Sequence, residues 1–317
     1  MMPLHGQPIL ALGGMAARPL AQLLQSLGAV IVSGQPSDSP EGFSFVIDDQ
    51  GLELLQDQGW NAARVAAEHP GLIHASVSAF GSGNERSRWH SSELVASAMG
   101  GTLRLTGNPE RRPVKEALNA CTFHADMVAA AGLMAAHYAR GSSGLGQHVD
   151  VSIQEVAFNR NVSGVLGWQF DRRKLHRAGP ALNYGRAQVR CIWPLSDGWC
   201  FHSLMTGKFG APANQALSDW MDETGVENPL HGVDWQTYNR STLDPATRTL
   251  WEQAIENFFR TRSKQQIASE GRRRGINACV VAEPADVLAD PHLAARDFWH
   301  MAGEQKQPGR FVRIETG

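Results

Sequence analysis

The sequence lacks the features that mark nucleic-acid-binding and membrane proteins. Its formal net charge is −2, and no basic run is longer than the three residues of Arg272-Arg-Arg274, so no basic patch indicates a nucleic-acid partner. No apolar run approaches the roughly 20 residues that a membrane span needs. Residues 1–14 lack the basic start and long apolar core of a signal peptide. These absences predict a cytoplasmic protein with neither nucleic acid nor membrane as a partner.

Cysteine is also scarce. The four cysteines, Cys121, Cys191, Cys200 and Cys279, are widely separated and include no C-x-x-C pair. Disulfide frameworks and structural metal sites use more closely patterned cysteines. We therefore predict reduced thiols in the protein core, and no metal site.

The length and the order of patterns predict an α/β fold in two domains. A chain of 317 residues exceeds the usual size of one domain. The first half alternates short apolar runs with helical patterns, which indicates a Rossmann-like, mostly parallel sheet. The composition then changes, and residues 190–202 have the pattern of a hairpin with its turn at Ser196-Asp-Gly198. We predict a large domain over 1–180 and a smaller α+β domain over 190–300.

Two patterns that suggest a ligand site are weak. Gly13-Gly14 follows an apolar run and precedes a helical pattern, but it is not the G-x-G-x-x-G of a dinucleotide site. An ordinary strand-to-helix turn is therefore favoured there. His124 and Asp126 stand two residues apart on a predicted helix and point in different directions, which argues against an acid–base pair.

The most informative stretch is residues 144–158. Gly144 and Gly146 mark a turn, and residues 147–153 then alternate with period two, as in a strand. Ser152 is a suitable helix N-cap, and Glu155 follows where a capping-box carboxylate lies. The pattern predicts strand, tight turn and helix. Glu155 would lie near the positive end of the helix dipole, beside free amides able to hold an oxyanion.

This stretch, G-x-G-Q-x-V-D-V-S-x-Q-E, resembles the signature of the family III CoA-transferases, the CaiB/BaiF or formyl-CoA transferase-like family. The resemblance covers most of residues 20–300 and implies transfer of CoA between an acyl-CoA and a carboxylic acid, without a metal. Three further segments are similar to motifs of that family and occur in its order: Pro70–Gly81, Ser92–Gly107 and Ala289–Trp299.

The resemblance also implies roles for particular residues. Glu155 corresponds to the nucleophile, usually an aspartate. Glutamate is one methylene longer, which displaces the carboxylate by roughly 1 Å. The alternative is that Glu155 only caps its helix. The loop residues Phe80, Gly81 and Gly83 would border the CoA, and Gly185 is what remains of a glycine run that closes over the reaction intermediate.

A racemase of the related α-methylacyl-CoA type is not expected. In those enzymes an aspartate at the position of Asp150 works with a histidine. Ala120 or Cys121 stands at the matching upstream position here.

Two departures from the family pattern leave a second function open. Members continue after the second strand with a long basic segment that helps to hold CoA, whereas Ser33–Gly42 leads directly into the next strand here. Family chains also return to the first domain, whereas residues 301–317 are expected to form only a truncated return tail. The family folds as interlocked dimers, so we expect a homodimer or a heteromer with a full-length paralogue. The alternative function is a catalytically degenerate structural subunit that supports an active paralogue.

Overall fold

The computed structural model describes residues 2–184, 187–310 and 312–314. The chain forms two compact units. The first comprises Met1–Thr106, Pro113–His176 and Asp297–Gly317, and the second comprises Gly107–Arg112 and Arg177–Arg296. A five-stranded parallel sheet and several small antiparallel sheets confirm the predicted α/β fold class.

The first unit is built on the parallel sheet. Its strands lie in the order β2-β1-β3-β4-β5, so the chain reverses its direction of growth between β1 and β3. In open α/β sheets, the carboxyl ends of the strands on either side of such a point border the usual ligand crevice. The strands are β1 (Pro8–Leu12), β2 (Val30–Gly34), β3 (Phe45–Asp48), β4 (Ile73–Ser78) and β5 (His148–Ser152).

Helices cover both faces of this sheet. They are α1 (Pro19–Ser26), α2 (Leu52–Asp57), α3 (Ala62–Glu68), α4 (Glu93–Met99), α5 (Thr102–Leu105), α6 (Ala120–Ser143), α7 (Ile153–Asn159) and α8 (Val162–Asp171), with a 3-10 turn at Met15–Ala17. Residues such as Phe45, Ile47 and Val77 pack on the α1 and α6 side. Leu10 and Val46 face the opposite side, against Trp60. Burial on both faces explains why β1 and β3 are apolar runs rather than alternating ones.

The chain after Glu155 forms two helices in succession. The helix α7 ends at Asn159, and α8 begins at Val162. Asn161 separates them, with its side chain against Gly101: a Cβ on that glycine would lie 2.8 Å from the Asn161 amide nitrogen. The short helices α2 and α3 were not predicted at all.

The second unit contains antiparallel sheets and an aromatic core. The predicted hairpin is present as β8 and β9. The core contains Trp193, Trp220 and Trp251 with Phe258 and Phe259. The elements are β6 (Ala181–Tyr184), β7 (Ala187–Arg190), β8 (Ile192–Pro194), β9 (Trp199–His202), α9 (Ala211–Glu223), α10 (Pro245–Arg260), α11 (Lys264–Arg274), β10 (Ala278–Val281), α12 (Pro284–Leu288) and α13 (Pro291–Ala295).

A final hairpin belongs to the first unit, formed by β11 (Trp299–Ala302) and β12 (Gln305–Pro308).

The cysteines are free, but the expectation of four core thiols needs correction, because Cys279 is exposed while the other three are buried. Among the described residues, no helix has both the length and the apolar character needed to cross a membrane.

Gly146 shows why the turn before β5 requires glycine. Its amide donates a 2.7 Å hydrogen bond to the Pro70 carbonyl. A Cβ built on Gly146 would lie 1.8 Å from the Leu72 carbonyl oxygen, far inside contact distance, and the obstacle is backbone. The glycine is therefore required by the close approach of two chain segments, beyond any turn preference.

We predict that Gly146→Ala destabilises the chain by about 3 kcal/mol or more, because the β4 and β5 segments must separate to admit the methyl group. Gly141→Ala is the matched control. Gly141 lies exposed within α6 with open space at its Cβ position, so alanine there should stabilise by roughly 0.5–1 kcal/mol. Denaturant unfolding of the two variants measures both effects, and equal stabilities would contradict the prediction.

Candidate active site

The junction of β5 and α7 has the predicted strand-turn-helix form. The Ser152 hydroxyl accepts a 3.3 Å hydrogen bond from the Glu155 amide, which makes Ser152 the N-cap of α7. Glu155 therefore lies in the first turn, at the carboxyl edge of the parallel sheet. Its side chain is exposed.

The Glu155 carboxylate does not complete a capping box. Only the half donated by the Glu155 amide is present, whereas α11 and α12 each show both halves. Within the part of the chain that the structure describes, no hydrogen bond or ion pair engages this carboxylate. The Glu155 carboxylate is therefore not a capping-box acceptor in this structure.

The expectation of free amides for an oxyanion needs correction. The Gln154 amide donates to the Ala79 carbonyl at 3.1 Å, and the Glu155 amide is held by Ser152. Two donors of the first turn of α7 are therefore already used. The hydrogen bond to Ala79 also links the start of α7 to the loop that follows β4.

That loop contains three of the predicted CoA-binding residues. Gly81 has φ of +73°, and a Cβ there would lie 3.4 Å from the Ser152 Cβ and 3.3 Å from Oδ2 of Asp150. Phe80 is buried and meets Trp89 edge to face, with ring centroids 6.0 Å apart. The structure therefore brings Phe80 and Gly81 to the start of the helix that carries Glu155.

Two carboxylates accept hydrogen bonds from the backbone amides of this loop. The Ser82 amide donates to Oδ2 of Asp150 at 2.9 Å, and the Gly83 amide donates to Oε1 of Glu53 at 2.6 Å. The other Glu53 oxygen is buried without a hydrogen-bond partner. The sequence analysis did not identify Glu53, because nothing in a local pattern links residues that are thirty positions apart. Gly185, the fourth predicted CoA-binding residue, lies outside the described residues.

A cleft of about 410 Å³ opens at this edge of the sheet. Ala79 and Ile153 connect it to the loop and to α7, and Asp49 and Glu93 contribute carboxylates. Its volume lies within the range of small-molecule sites. The other lining residues are Gln50, Leu54, Gln58, Ser87, Trp89, His90, Ser91, Ser92, Ala96 and Thr122.

Glu93 caps the long helix α6. Its carboxylate accepts from the Cys121 amide at 2.6 Å, the Thr122 amide at 3.1 Å and the Thr122 hydroxyl at 2.9 Å. Burial would raise the pKa of the Glu93 carboxyl, but these hydrogen bonds outweigh it and hold the pKa below its usual value. Glu93 is therefore an ionised cap at the wall of the cleft.

The side chain of Asp49 lies against the Gly13-Gly14 turn. Oδ2 of Asp49 accepts from the Gly14 amide at 3.1 Å. Behind it, Arg18 is paired with the buried Asp126 and donates to the Val77 carbonyl at 3.3 Å. Burial raises the pKa of both Asp49 and Asp126, although Arg18 acts in the opposite direction. Asp126 binds Arg18, while His124 contacts the Ala120 carbonyl, so these two do not pair.

A buried polar network links β3, β4 and β5. The Asp48 carboxylate accepts from His74 at 2.8 Å and from Ser76 at 2.5 Å, and Ser76 lies 3.0 Å from Nε2 of His148. Burial would raise the pKa of Asp48, but His74, Ser76 and the Gly51 amide together lower it. Burial and the neighbouring His74 lower the pKa of His148. Asp48 and Ser76 are fully buried, whereas His148 is exposed.

Comparison with known proteins agrees with these features. The family model described as CoA-transferase family III matches residues 46–316. The chain is 28% identical, over 77% of its length, to the succinyl-CoA:(R)-benzylsuccinate CoA-transferase subunit BbsE of Thauera aromatica. It is 30% identical, over 76% of its length, to a succinyl-CoA–D-citramalate CoA-transferase of Chloroflexus aurantiacus. The chain spans only 58% of the length of each of these relatives.

Solved structures support the fold. A CaiB/BaiF family protein from Brucella suis superposes with a TM-score of 0.79 at 19% identity, and the match covers 99% of this chain and 93% of that one. A likeness at this low identity shows the fold alone.

We predict that each loop amide is protected from hydrogen exchange by its own carboxylate. Asp150→Ala should speed exchange of the Ser82 amide by about tenfold or more, and Glu53→Ala should do the same for Gly83, because each loses its acceptor. The amide of Gly81, which donates to the Ser78 hydroxyl at 3.0 Å, is the internal control. Exchange rates unchanged in both variants would contradict these assignments.

Proposed function

The chain belongs to family III of the CoA-transferases, and we propose on this basis that it moves CoA between an acyl-CoA and a carboxylic acid with Glu155 as the nucleophile. The observation that carries the proposal is the position of Glu155. Its carboxylate is unpaired, exposed and one turn into a helix that starts beside the Phe80–Gly83 loop. We propose that this loop borders the CoA, together with Gly185.

The reaction consists of four successive nucleophilic attacks, the last of which regenerates the free enzyme. The Glu155 carboxylate attacks the thioester carbonyl of the donor, which gives a mixed anhydride and releases CoA thiolate. The thiolate attacks the glutamyl carbonyl, forming an enzyme-bound thioester and the free donor acid. The acceptor carboxylate then attacks that thioester, and the released thiolate attacks the new acyl group, regenerating Glu155. Covalent catalysis of this kind divides one difficult transfer into easier steps.

The reaction requires Glu155 to be ionised when it attacks. The extra methylene of glutamate gives the oxygen atoms a longer reach than aspartate would. Names of relatives suggest a dicarboxylic donor such as succinyl-CoA, since both relatives described above act on succinyl-CoA.

We predict that incubation with the correct acyl-CoA places a covalent adduct on Glu155, detectable by peptide mass after borohydride or hydroxylamine treatment. Glu155→Gln should abolish adduct and turnover, because an amide is not a nucleophile of this kind, while Ser152 keeps its cap. Glu85→Gln, which removes another exposed acid, is the control. Normal turnover in Glu155→Gln would remove this residue from the mechanism.

A second candidate function is a structural subunit of a heteromeric transferase. One relative is itself named as a subunit. In addition, α8 exposes the apolar side chains of Leu166, Trp168 and Phe170, and Phe170 is 81% exposed. Gly167 is the one buried residue of this helix. A helix with apolar residues on every side normally lies inside an assembly. This surface favours an obligate partner, either a second copy or a paralogue.

We predict that the purified chain sediments as a dimer or larger species at micromolar concentration. The double change Leu166→Ser and Phe170→Ser should release monomers, whereas Leu250→Ser, at a 54% exposed site outside the first unit, should not. Turnover by the purified assembly supports the autonomous enzyme. Turnover that appears only when a second transferase chain is added supports the structural subunit. A stable monomer would contradict both forms of assembly.

A further inference from the structure

A pocket separate from the cleft lies on the sheet face that carries Trp60, at the amino half of β4 and β5. Its volume is about 140 Å³, and α3 supplies part of its wall. A strand rises roughly 3.3 Å per residue, so His148 lies about 13 Å from Ser152, the cap of α7. We propose that this pocket binds a small uncharged molecule that carries a primary amide group. The proposal goes beyond the proposed function, because Glu155 has no part in it.

The lining of this pocket contains no fixed charge. Among the described residues that line it, none is aspartate, glutamate, lysine or arginine. An ionic ligand would therefore give up its hydration without gaining a permanent countercharge in contact with it. The polar groups of the lining are Trp60, three histidines and Gln147, and its apolar wall includes Leu52, Val65, Ala66, Pro70 and Leu72.

The indole N–H of Trp60 is a donor that lacks an acceptor. Trp60 is 2% exposed, and its Nε1 is buried without a hydrogen-bond partner among the described residues. Its ring meets the His74 ring edge to face, with centroids 5.4 Å apart. Buried donors are normally bonded, so this N–H requires an oxygen acceptor from a ligand or from water.

The second ring nitrogen of His148 is an acceptor that lacks a donor. His148 pairs with His74 across β5 and β4, and the two rings lie 5.2 Å apart. The Ser76 hydroxyl donates to Asp48, so its oxygen accepts from Nε2 of His148 at 3.0 Å. An uncharged ring with its proton on Nε2 has its lone pair on Nδ1. Partial desolvation and the neighbouring His74 lower the pKa of His148, which favours this uncharged ring at neutral pH.

A primary amide offers both of the missing partners. Its carbonyl oxygen can accept from the Trp60 indole, and its N–H can donate to Nδ1 of His148. A carboxylate or a ketone has the acceptor but no proton to donate. The apolar wall suits a short alkyl chain on the amide. The volume is below that of drug-sized sites, which restricts the ligand to a small molecule.

The test follows the indole N–H signals of the full chain, in its native assembly and with isotope-labelled tryptophan, by NMR. The Trp60 signal is the one that Trp60→Phe removes. The probes have closely similar shapes. Propionamide has the acceptor and the donor, butanone has the acceptor alone, and propionate has acceptors with a negative charge. The variant is His148→Ala, and His292→Ala, at an exposed histidine of the second unit, is the matched control.

We expect propionamide to shift the Trp60 signal saturably, with a Kd on the order of 1–10 mM because so small a ligand makes few contacts. Butanone and propionate should bind about tenfold more weakly, since neither donates a hydrogen bond to His148. In His148→Ala the preference for propionamide over butanone should disappear, an effect that a merely structural role of His148 does not predict. In His292→Ala the preference should be unchanged. Saturating CoA should leave the Kd of propionamide within about twofold.

A Trp60 signal that propionamide does not shift, as in a pocket that holds water only, would overturn the proposal. Equal binding of the probes by the wild type, a preference for propionate, a preference that survives in His148→Ala, or displacement of propionamide by CoA would also overturn it. If Trp60→Phe does not fold, the preference is measured on whichever indole signal propionamide shifts, and its loss in His148→Ala decides the question. Transferase turnover enters none of these readouts, so the failure of one conclusion leaves the other standing.

Discussion

The pairing of β4 with β5 is the contact on which the candidate site depends. The two strands are parallel, with Ser78 opposite Ser152, so their carboxyl ends reach the same edge of the sheet. The loop after β4 and the helix after β5 must therefore emerge side by side. Bonds from Gln154 to Ala79 and from Ser82 to Asp150 then join loop and helix across this edge. Glu155 owes its place beside the loop to this register.

Much of this arrangement can be predicted from the sequence, because its causes are local. Period-two alternation identifies β5, and Ser152 identifies the start of α7. The family resemblance assigns Glu155 and the Phe80–Gly83 loop to one site, and the structure places the loop against the helix start. The predictions of β5 and of the Ser152 cap are confirmed, because a residue's neighbours in the chain determine its conformation there.

The parts that could not be predicted depend on residues far apart in the chain. Glu53 holds the Gly83 amide, and Glu93 caps a helix that begins 27 positions later at Ala120. A lone glutamate gives no sequence signal that distinguishes such a role from surface exposure. The sequence indicates that Gly146 is a turn glycine. Glycine is required there because the folded sheet brings the Leu72 backbone too close for a side chain. The break at Asn161 likewise depends on Gly101.

The carboxylates of the cleft are stabilised largely by backbone hydrogen bonds. A buried carboxylate is costly unless hydrogen bonds replace its hydration. Asp49 and Glu93 obtain those bonds from backbone amides, which are fixed donors that need no side-chain ordering. The same bonds that stabilise the charges remove the amides from use by a ligand.

The register that places Glu155 is itself fixed by polar contacts. Apolar residues cover both faces of β3 and β4, so apolar burial alone would discriminate weakly against a slip of one residue. A slip would carry Asp48 and His74 to the face where Ile47 and Val77 pack, leaving a buried charge without its partners. An unpaired buried charge costs several kcal/mol. The Asp48–His74–Ser76 network therefore favours the observed alignment of the strands beneath the site.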